Sequence, residues 1–211
     1  LRGQFNGAIT GKGEAFGGSE MRVEATGYGL IYFTQNMLAD LGETIADKRI
    51  VISGKGNVAT HAAQKAICEG AKVITLSDTS GTLVADDGFS QDAVAWVQAQ
   101  KAAGEDVGNP PKSLGLTFHE GALPWQNEAD IALPCATQNE IDSAAAKTIT
   151  DSGVRLLAEG ANMPLTADAT DHIADKGLLY APCKAANAGG VAISGLEMSQ
   201  NAHGRFDSAE E

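Results

Sequence analysis

The sequence has few cysteines, few basic residues and no long apolar run, and each of these shortages excludes a class of protein. The three cysteines, Cys68, Cys135 and Cys183, are odd in number and form no C-x-x-C pair, which argues against a disulfide framework or a zinc site. The 15 Lys and Arg residues against 27 Asp and Glu residues give a formal net charge of -12, which disfavours a nucleic-acid or anionic-membrane partner. No apolar stretch approaches the ~20 residues of a membrane span, and no signal segment opens the chain. We therefore expect a cytoplasmic protein with reduced thiols that binds neither membrane nor nucleic acid.

Residues that often carry catalysis or bind metal also lack a suitable spacing. The acidic pair Asp86-Asp87, followed by Gly88, is typical of a turn rather than of an acid/base dyad. The four histidines share no metal-ligand spacing and accompany no nucleophile: His61, His119, His172 and His203. We predict no metal site.

The most informative stretch runs from Lys48 to Asp78, where a strand, a glycine turn, a helix and a second strand follow in order. The β-branched run Ile50-Val-Ile52 has no polar alternation, as expected of a strand buried on both faces. Gly54, Gly56 and Ala59 then give the spacing G-x-G-x-x-A. The first glycine allows a tight turn, the second lets a pyrophosphate approach the backbone, and the small third residue lets helix and strand pack closely.

The helix that follows the glycine turn is expected to face a phosphate. Its free amide groups and the positive end of its dipole attract an anion. Asp78 ends the second strand (73–76), about 20 residues past the glycines, where a dinucleotide fold reads the adenosine ribose. The stretch therefore predicts dinucleotide binding.

The rest of the chain alternates between helical and strand patterns. Apolar spacing predicts a helix from Ala25 to Leu41 and one over 57–69, and Ser90 is the predicted cap of a third that ends near Lys101. In the second half, strands are predicted at 115–118, 130–133, 154–158 and 178–181, and helices at 139–152 and 166–176. With 50–52 and 73–76 this gives about six strands, which predicts the α/β class: a doubly wound, mostly parallel sheet, the Rossmann-type dinucleotide-binding domain.

Three loops of the second half each follow a predicted strand, at the sheet edge where such folds bind ligands. They span residues 134–139, 159–164 and 182–190. Each combines small residues, which permit close approach, with an amide side chain that donates and accepts hydrogen bonds. Such groups suit a carboxamide ring and a ribose.

Five motifs in these segments closely resemble the hexameric bacterial glutamate dehydrogenases, from about Thr10 to Asn201. The motifs are Ala25-Thr-Gly-Tyr-Gly29, Ser53-Gly-Lys-Gly-Asn-Val-Ala59, Leu133-Pro-Cys-Ala-Thr-Gln-Asn-Glu140, Ala158-Glu-Gly-Ala-Asn-Met-Pro164, and Lys184-Ala-Ala-Asn-Ala-Gly-Gly190 followed by Ser194-Gly-Leu-Glu-Met198. The resemblance implies reversible oxidative deamination of L-glutamate to 2-oxoglutarate and ammonia, with hydride passing to a nicotinamide.

The resemblance also implies roles for individual residues. Thr26, which on pattern alone is a helix cap, would bind the nicotinamide side of the coenzyme, and Asn162 and Asn187 would contact ribose and nicotinamide. Ser194 would bind the side-chain carboxylate of the substrate. The expected coenzyme-binding set is completed by the glycine turn and the loop after the strand at 130–133: Gly54, Lys55, Gly56, Asn57, Val58, Ala136, Thr137 and Gln138.

The turn Ser77-Asp-Thr-Ser80 resembles the NADP-using branch of the family, so we expect NADP rather than NAD. A carboxylate at Asp78, beside Thr79, should repel a 2′-phosphate, so a compensating cation is required. Lys101 stands where that branch places one, and Lys55 is the second candidate.

The same family places its catalytic lysine and acid in an N-terminal domain. The chain opens on Leu1 rather than Met, and we expect a piece of a longer protein: 1–24 a flexible connector from that domain, 25–203 the dinucleotide-binding domain and 204–211 a truncated tail. We therefore predict no catalytic residue here, and coenzyme binding without turnover. The full enzyme would act on glutamate, 2-oxoglutarate and ammonium as a homo-hexamer, with a monomer as the alternative for the isolated piece.

Two other functions remain open from the sequence. One is a stand-alone, non-catalytic NAD(P)-binding module. The other is the coenzyme domain of another amino-acid dehydrogenase, acting on branched or aromatic substrates.

Overall fold

A seven-stranded sheet forms the centre of residues 7 to 204, the part of the chain that this computed structural model describes. Residues 1–6 of the predicted connector and 205–211 of the predicted tail lie outside the described residues. The strands are β1 Arg49–Ile52, β2 Lys72–Ser77, β3 Gly81–Val84, β4 Thr117–Glu120, β5 Ile131–Leu133, β6 Leu156–Ala158 and β7 Leu179–Ala181. The helices are α1 Ala25–Ala39, α2 Asn57–Cys68, α3 Gln91–Ala103, α4 Ser143–Asp151, α5 Ala167–Asp175, the short α6 Cys183–Ala186 and α7 Gly189–His203.

The sheet order is β4-β3-β2-β1-β5-β6-β7. All neighbours from β2 through β1 to β7 pair in parallel, whereas β2–β3 and β3–β4 pair antiparallel. The chain winds outward from β1 to β4 and then returns to β5 on the other side of β1. The crevice beyond the carboxyl ends of β1 and β5 is therefore the point where the winding reverses, where open α/β sheets bind ligands. The predicted doubly wound, mostly parallel sheet is confirmed.

Each face of the sheet is covered by its own hydrophobic cluster. Ile50 and Ile52 point to the face covered by α1, α2 and α3, and Val51 to the face covered by α4 and α5. These three residues are fully buried, which explains why β1 carries no polar alternation. Four alanines of α2 (Ala59, Ala62, Ala63 and Ala66) are buried, so this helix lies close to the sheet and to α1.

The strand count from sequence was wrong, because no strand was predicted at β3. Only Asp78–Ser80 separates β3 from β2, so the two strands form a hairpin, and the helix that joins the parallel strands is missing between them. The strand expected at 115–118 begins instead at Thr117, because Gly115 has a φ of 65° and ends a 3₁₀ turn.

Helix starts follow their capping side chains. Ser90 Oγ accepts from Ala93 N–H at 3.1 Å, which confirms the predicted cap of α3. The helix expected from residue 139 begins only at Ser143, because Asp142 Oδ1 accepts from Ala145 N–H at 2.9 Å and sets the start there. Among the described residues, we find no helix with the length and apolarity that spanning a bilayer requires.

We expect Gly81→Ala to destabilise the chain by about 2 kcal/mol, because overpacking against backbone cannot be relieved by a rotamer change. A Cβ at residue 81 would lie 2.3 Å from the carbonyl oxygen of His119 and 3.0 Å from Glu120 Cα. Urea unfolding of the two proteins measures the difference.

Gly195→Ala is the matched control, because a Cβ there meets nothing within 4 Å and the residue lies inside α7. That substitution should stabilise the chain by about 0.5–1 kcal/mol. Equal unfolding free energies for the Gly81→Ala variant and the unchanged chain would refute the close approach of β3 and β4.

Candidate functional site

Two serine hydroxyls hold the carboxyl ends of three central strands together. Ser53, after β1, accepts from Cys135 N–H at 2.9 Å, and Ser77, at the end of β2, accepts from Gly54 N–H at 2.9 Å. Ser77 N–H in turn donates to Gly54 O at 3.2 Å. Both serines are buried, and their hydrogen bonds hold the loops after β1, β2 and β5 at a fixed spacing.

The glycine turn after β1 leads to a helix start that has no side-chain cap. Gly54 has a φ of 89°, and a Cβ there would lie 3.1 Å from Ala136 Cα. The turn therefore requires glycine both for its backbone conformation and for its close approach to Ala136. Gly56 is the N-cap of α2, and it makes no side-chain cap hydrogen bond to the first amides of this helix.

Side chains do cap the starts of α3, α4 and α5, through Ser90, Asp142 and Thr166. The first amides of α2, from Asn57 and Val58 on, therefore keep their donors for another acceptor. An uncapped helix start behind a glycine turn fits a diphosphate.

A cleft of ≈ 460 Å³, here called the inner cleft, lies between the start of α1, the loops after β5 and β6, and the start of α7. Seven of the residues singled out from sequence line it: Thr26, Val58, Ala136, Thr137, Gln138, Asn162 and Asn187. Five separate segments of the chain thus bring the predicted residues to one place.

Two of these predicted residues touch each other. Asn187 Nδ2 donates to Asn162 Oδ1 at 2.8 Å and to Gly160 O at 3.2 Å. The contact joins the loop after β6 to the segment between α6 and α7. It fixes the orientation of both amides and leaves the carbonyl of Asn187 and the NH2 group of Asn162 for a ligand.

Thr26 is not a helix cap, so that interpretation was wrong. The N-cap of α1 is Glu24, and Thr26 is the second residue of the helix. It lies against α7 so closely that a Cβ at Gly190 would be 2.3 Å from Thr26 Oγ1. The glycine at 190 is what allows α7 to begin beside this hydroxyl.

The segment before α1 is tied to α7 at two points. Arg22 Nε donates to Ser194 Oγ at 2.9 Å, and Lys12 Nζ lies 2.8 Å from Glu197 Oε1. Gly11 N–H also donates to Glu197 Oε2 at 2.9 Å. Burial would raise the pKa of Glu197, but the hydrogen bonds from Lys12 and Gly11 outweigh it and lower this pKa.

Arg22 is a site residue that the sequence reasoning missed. It lines the inner cleft, whereas Ser194, the predicted ligand of a substrate carboxylate, is not among the lining residues and contacts Arg22 instead. A single arginine in a glycine-rich segment carries no pattern, and its place is visible only because α7 folds back onto α1. A guanidinium at this end of the cleft suits a carboxylate.

Glu159 positions the loop between β7 and α6. The residue is 3% exposed, and its carboxylate accepts from Tyr180 OH at 2.8 Å and from Cys183 N–H at 2.7 Å. Burial and, next, this carboxylate raise the pKa of Tyr180, so the phenol stays protonated and keeps donating.

A second cleft of ≈ 380 Å³, here called the outer cleft, lies on the β2 side of the glycine turn. The predicted residues that line it are Gly54, Lys55, Gly56, Asp78, Thr79, Ala136 and Thr137. Ala136 and Thr137 belong to both clefts, so their loop is the shared wall. Glu140 accepts from Ala136 N–H at 3.0 Å and fixes that wall, while burial raises the pKa of Glu140.

Asp78 is held by protein donors on every side. Lys55 Nζ lies 2.9 Å and Val107 N 3.1 Å from Oδ2, and the backbone N–H and the hydroxyl of Ser80 both donate to Oδ1. Burial would raise the pKa of Asp78, but the hydrogen bonds from Ser80 and Lys55 outweigh it and lower this pKa. The carboxylate is therefore ionised at neutral pH.

Lys101 lies apart from the outer cleft. Its Nζ donates to Asn57 Oδ1 at 2.6 Å, in a groove between α2 and α3 that Thr60 and Gln98 also line. Its predicted contact with a coenzyme phosphate stays a prediction, as do the other assigned contacts. Within residues 7–204, no group of three or more His, Cys, Asp or Glu residues is placed to hold a metal ion.

Comparison with known proteins gives one consistent result. A family model described as Glutamate/Leucine/Phenylalanine/Valine dehydrogenase matches residues 17–211. The chain is 49% identical to the NADP-specific glutamate dehydrogenase of Psychrobacter sp. (strain TAD1), over 100% of this chain and 47% of that protein. It is 53% identical to the NADP-specific glutamate dehydrogenase of Salmonella typhimurium, over 92% of this chain and 44% of that protein.

A solved structure agrees. The crystal structure of Plasmodium falciparum glutamate dehydrogenase superposes with a TM-score of 0.91 at 40% identity, over 98% of this chain and 45% of that one. The chain thus spans about half the length of the relatives it matches.

We expect Glu197→Gln to cost about 2 kcal/mol of unfolding free energy at pH 7, because the charge-assisted bonds to Lys12 and Gly11 are lost. The folded pKa of Glu197 lies below its ordinary 4.5, so its contribution is present above that pH and lost as the pH falls further. The unchanged chain should therefore lose stability on acidification while the Gln variant loses less.

Urea unfolding at pH 7 and below pH 4.5 measures both effects. Glu128→Gln is the control, since Glu128 is exposed and takes part in none of the ion pairs found among the described residues. A difference between the Glu197→Gln variant and the unchanged chain that is the same at both pH values would contradict the assigned ion pair.

Proposed function

The chain belongs to the Glutamate/Leucine/Phenylalanine/Valine dehydrogenase family, and we propose that it is the coenzyme-binding domain of an NADP-dependent glutamate dehydrogenase. The observation that carries the proposal is the uncapped start of α2, which lies between two clefts at the point where the sheet reverses its winding. The names of the relatives favour glutamate over leucine, phenylalanine or valine as the amino acid, and NADP over NAD.

In this proposal the α2 amides hold the diphosphate between the two clefts. The positive end of the helix dipole faces it, and Gly54 and Gly56 let it approach the backbone. The adenosine half then lies in the outer cleft and the nicotinamide half in the inner cleft. The coenzyme supplies the hydride acceptor of the reaction.

The chain's own residues would position the nicotinamide half. Asn162 and Asn187, already oriented by their mutual hydrogen bond, can donate to and accept from a ribose or a carboxamide. Arg22 lies at the same cleft and holds Ser194, so the pair can bind a carboxylate of an amino acid or oxo acid.

We assign the whole enzyme the reversible conversion of L-glutamate to 2-oxoglutarate and ammonium, in a cytoplasmic homo-hexamer. The acid/base chemistry of that reaction takes place beside the nicotinamide, and no Lys, His, Asp or Glu of the described residues lines the inner cleft. The chain is therefore proposed to bind coenzyme without turning it over.

Titration with NADPH and NADH, followed by nicotinamide fluorescence, tests the proposal directly. NADPH should bind and NADH should bind more weakly, and an assay with 2-oxoglutarate and ammonium should show no turnover. If neither NADPH nor NADH binds, the proposed domain function is refuted. Robust turnover would refute the proposal that this chain binds coenzyme without catalysing the reaction.

Asn57→Asp separates the anion site from general folding effects. An aspartate at the first residue of α2 should add up to about 1 kcal/mol to the unfolding free energy, since it favours the helix dipole. The same charge should weaken NADPH binding about 10-fold or more, because a carboxylate on the first residue of α2 repels a diphosphate held by the amides of the same turn. Asn57→Gln is the uncharged control, and equal NADPH affinity of the Asp and Gln variants would place the diphosphate elsewhere.

A further inference from the structure

Asp78 occupies the position at which dinucleotide folds place a ribose-reading acid, but its oxygens are already taken. An ionised carboxylate offers about four lone-pair sites. The Lys55 ammonium and the Val107 amide use Oδ2, and the amide and hydroxyl of Ser80 use Oδ1. A ribose diol that donates to this carboxylate would have to displace one of these donors.

The donors come from three different segments of the chain. Lys55 belongs to the glycine turn, Ser80 to the β2–β3 turn, and Val107 to the loop after α3. The side chain of Asp78 is only 6% exposed. These contacts make Asp78 a clamp that joins the walls of the outer cleft.

Lys55 both contacts Asp78 and lines the outer cleft. Of its three N–H donors, one is directed at Asp78 Oδ2 and another at the carbonyl oxygen of Glu105. The third has no acceptor among the described residues, and the lysine side chain is 23% exposed and lines the outer cleft. A coenzyme phosphate in this cleft can accept that third bond.

The net charge of Asp78 and Lys55 determines whether the outer cleft binds a 2′-phosphate or a 2′-hydroxyl. A bare carboxylate at residue 78 would repel a 2′-phosphate and would accept from an unmodified 2′-hydroxyl. With Lys55 in place, 2.9 Å from Oδ2, the pair has no net charge and the carboxylate has no free acceptor site. Lys101 cannot supply this effect from its groove, since it neither lines the outer cleft nor contacts Asp78 among the described residues.

We propose that Lys55 is the residue that gives this site its preference for a 2′-phosphorylated adenosine, and that Asp78 acts through it as a positioning residue rather than as a ribose ligand. The inference rests on the proposed coenzyme function. It assigns the preference to the ammonium within the glycine turn, and Lys101 to the support of Asn57 at the start of α2.

Binding of two small probes to the whole chain isolates the effect. Adenosine 2′,5′-bisphosphate and adenosine 5′-monophosphate differ only in the 2′-phosphate, and calorimetry gives both affinities. In Lys55→Met the affinity for the bisphosphate should fall about 10-fold or more (1.4 kcal/mol per tenfold), while that for the monophosphate stays the same or rises. NADPH and NADH should follow the same order in the fluorescence titration.

Three further variants make the result specific. In Lys55→Met/Asp78→Asn the repelling charge is gone, so part of the lost bisphosphate affinity should return relative to the single variant. Lys112→Met, at an exposed lysine outside both clefts, is the matched control. Lys101→Met tests the rival lysine and should leave the ratio of the two affinities within about twofold. Urea unfolding of each variant identifies any that fail to fold.

Each outcome bears on a different claim. An unchanged chain that binds neither probe nor coenzyme refutes the proposed function itself. An unchanged chain that prefers the bisphosphate, with the preference lost in Lys101→Met and kept in Lys55→Met, refutes only the role of Lys55. Loss in Lys55→Met without recovery in the double variant refutes the neutralisation of Asp78 and leaves Lys55 as a simple phosphate ligand.

Discussion

The separation of three strand ends is the constraint on which the whole candidate site depends. Parallel strands deliver their following loops to one edge of a sheet, but they do not by themselves fix how far apart those loops stand. Here buried hydroxyls of Ser53 and Ser77 bind the amides of Cys135 and Gly54, so the loops after β1, β2 and β5 form one rigid unit. The glycine turn, the start of α2 and the shared wall at Ala136 and Thr137 all take their places from it.

Around this unit, buried or nearly buried carboxylates link separate segments of the chain through hydrogen bonds. Glu159 joins β6 to the segment after β7, Glu197 joins α7 to the chain before α1, and Asp78 joins the walls of the outer cleft. Each has its oxygens satisfied by protein donors, which is what makes burial of a charge tolerable. The side chains left to meet a ligand are neutral or cationic (Thr26, Asn162, Asn187, Arg22 and Lys55), in keeping with an anionic guest in a chain of net charge -12.

The fold was largely predictable because its strongest signals are local. Ile50-Val-Ile52 and the G-x-G-x-x-A spacing define strand, turn and helix over a few residues, and the family resemblance placed the remaining loops. The hairpin strand β3 was missed because it follows β2 after a three-residue turn, without the helix that joins the parallel strands. Its pairing with β4 brings together residues some 40 positions apart, as in Gly81 with Glu120, which no local pattern records.

The candidate site was predictable as a set but not as an arrangement. Sequence motifs named Asn162 and Asn187, yet their direct contact arises from the juxtaposition of two loops 25 residues apart. Arg22 gave no signal, since its importance comes from α7 lying against α1. The four donors around Asp78 likewise come from segments that only the folded chain brings together. The sequence position of Asp78 after β2 therefore could not predict its hydrogen-bond partners.

The loop shared by the two clefts has a consequence for any ligand that fills both. Ala136 and Thr137 line each side, so the clefts stand at one fixed separation, and the halves of a single molecule need not find their places independently. Once one half has docked, the other meets its cleft at an effective concentration on the order of millimolar or higher. Such a ligand would gain a chelate effect from a single loop, and its severed halves would bind far more weakly together than the intact molecule.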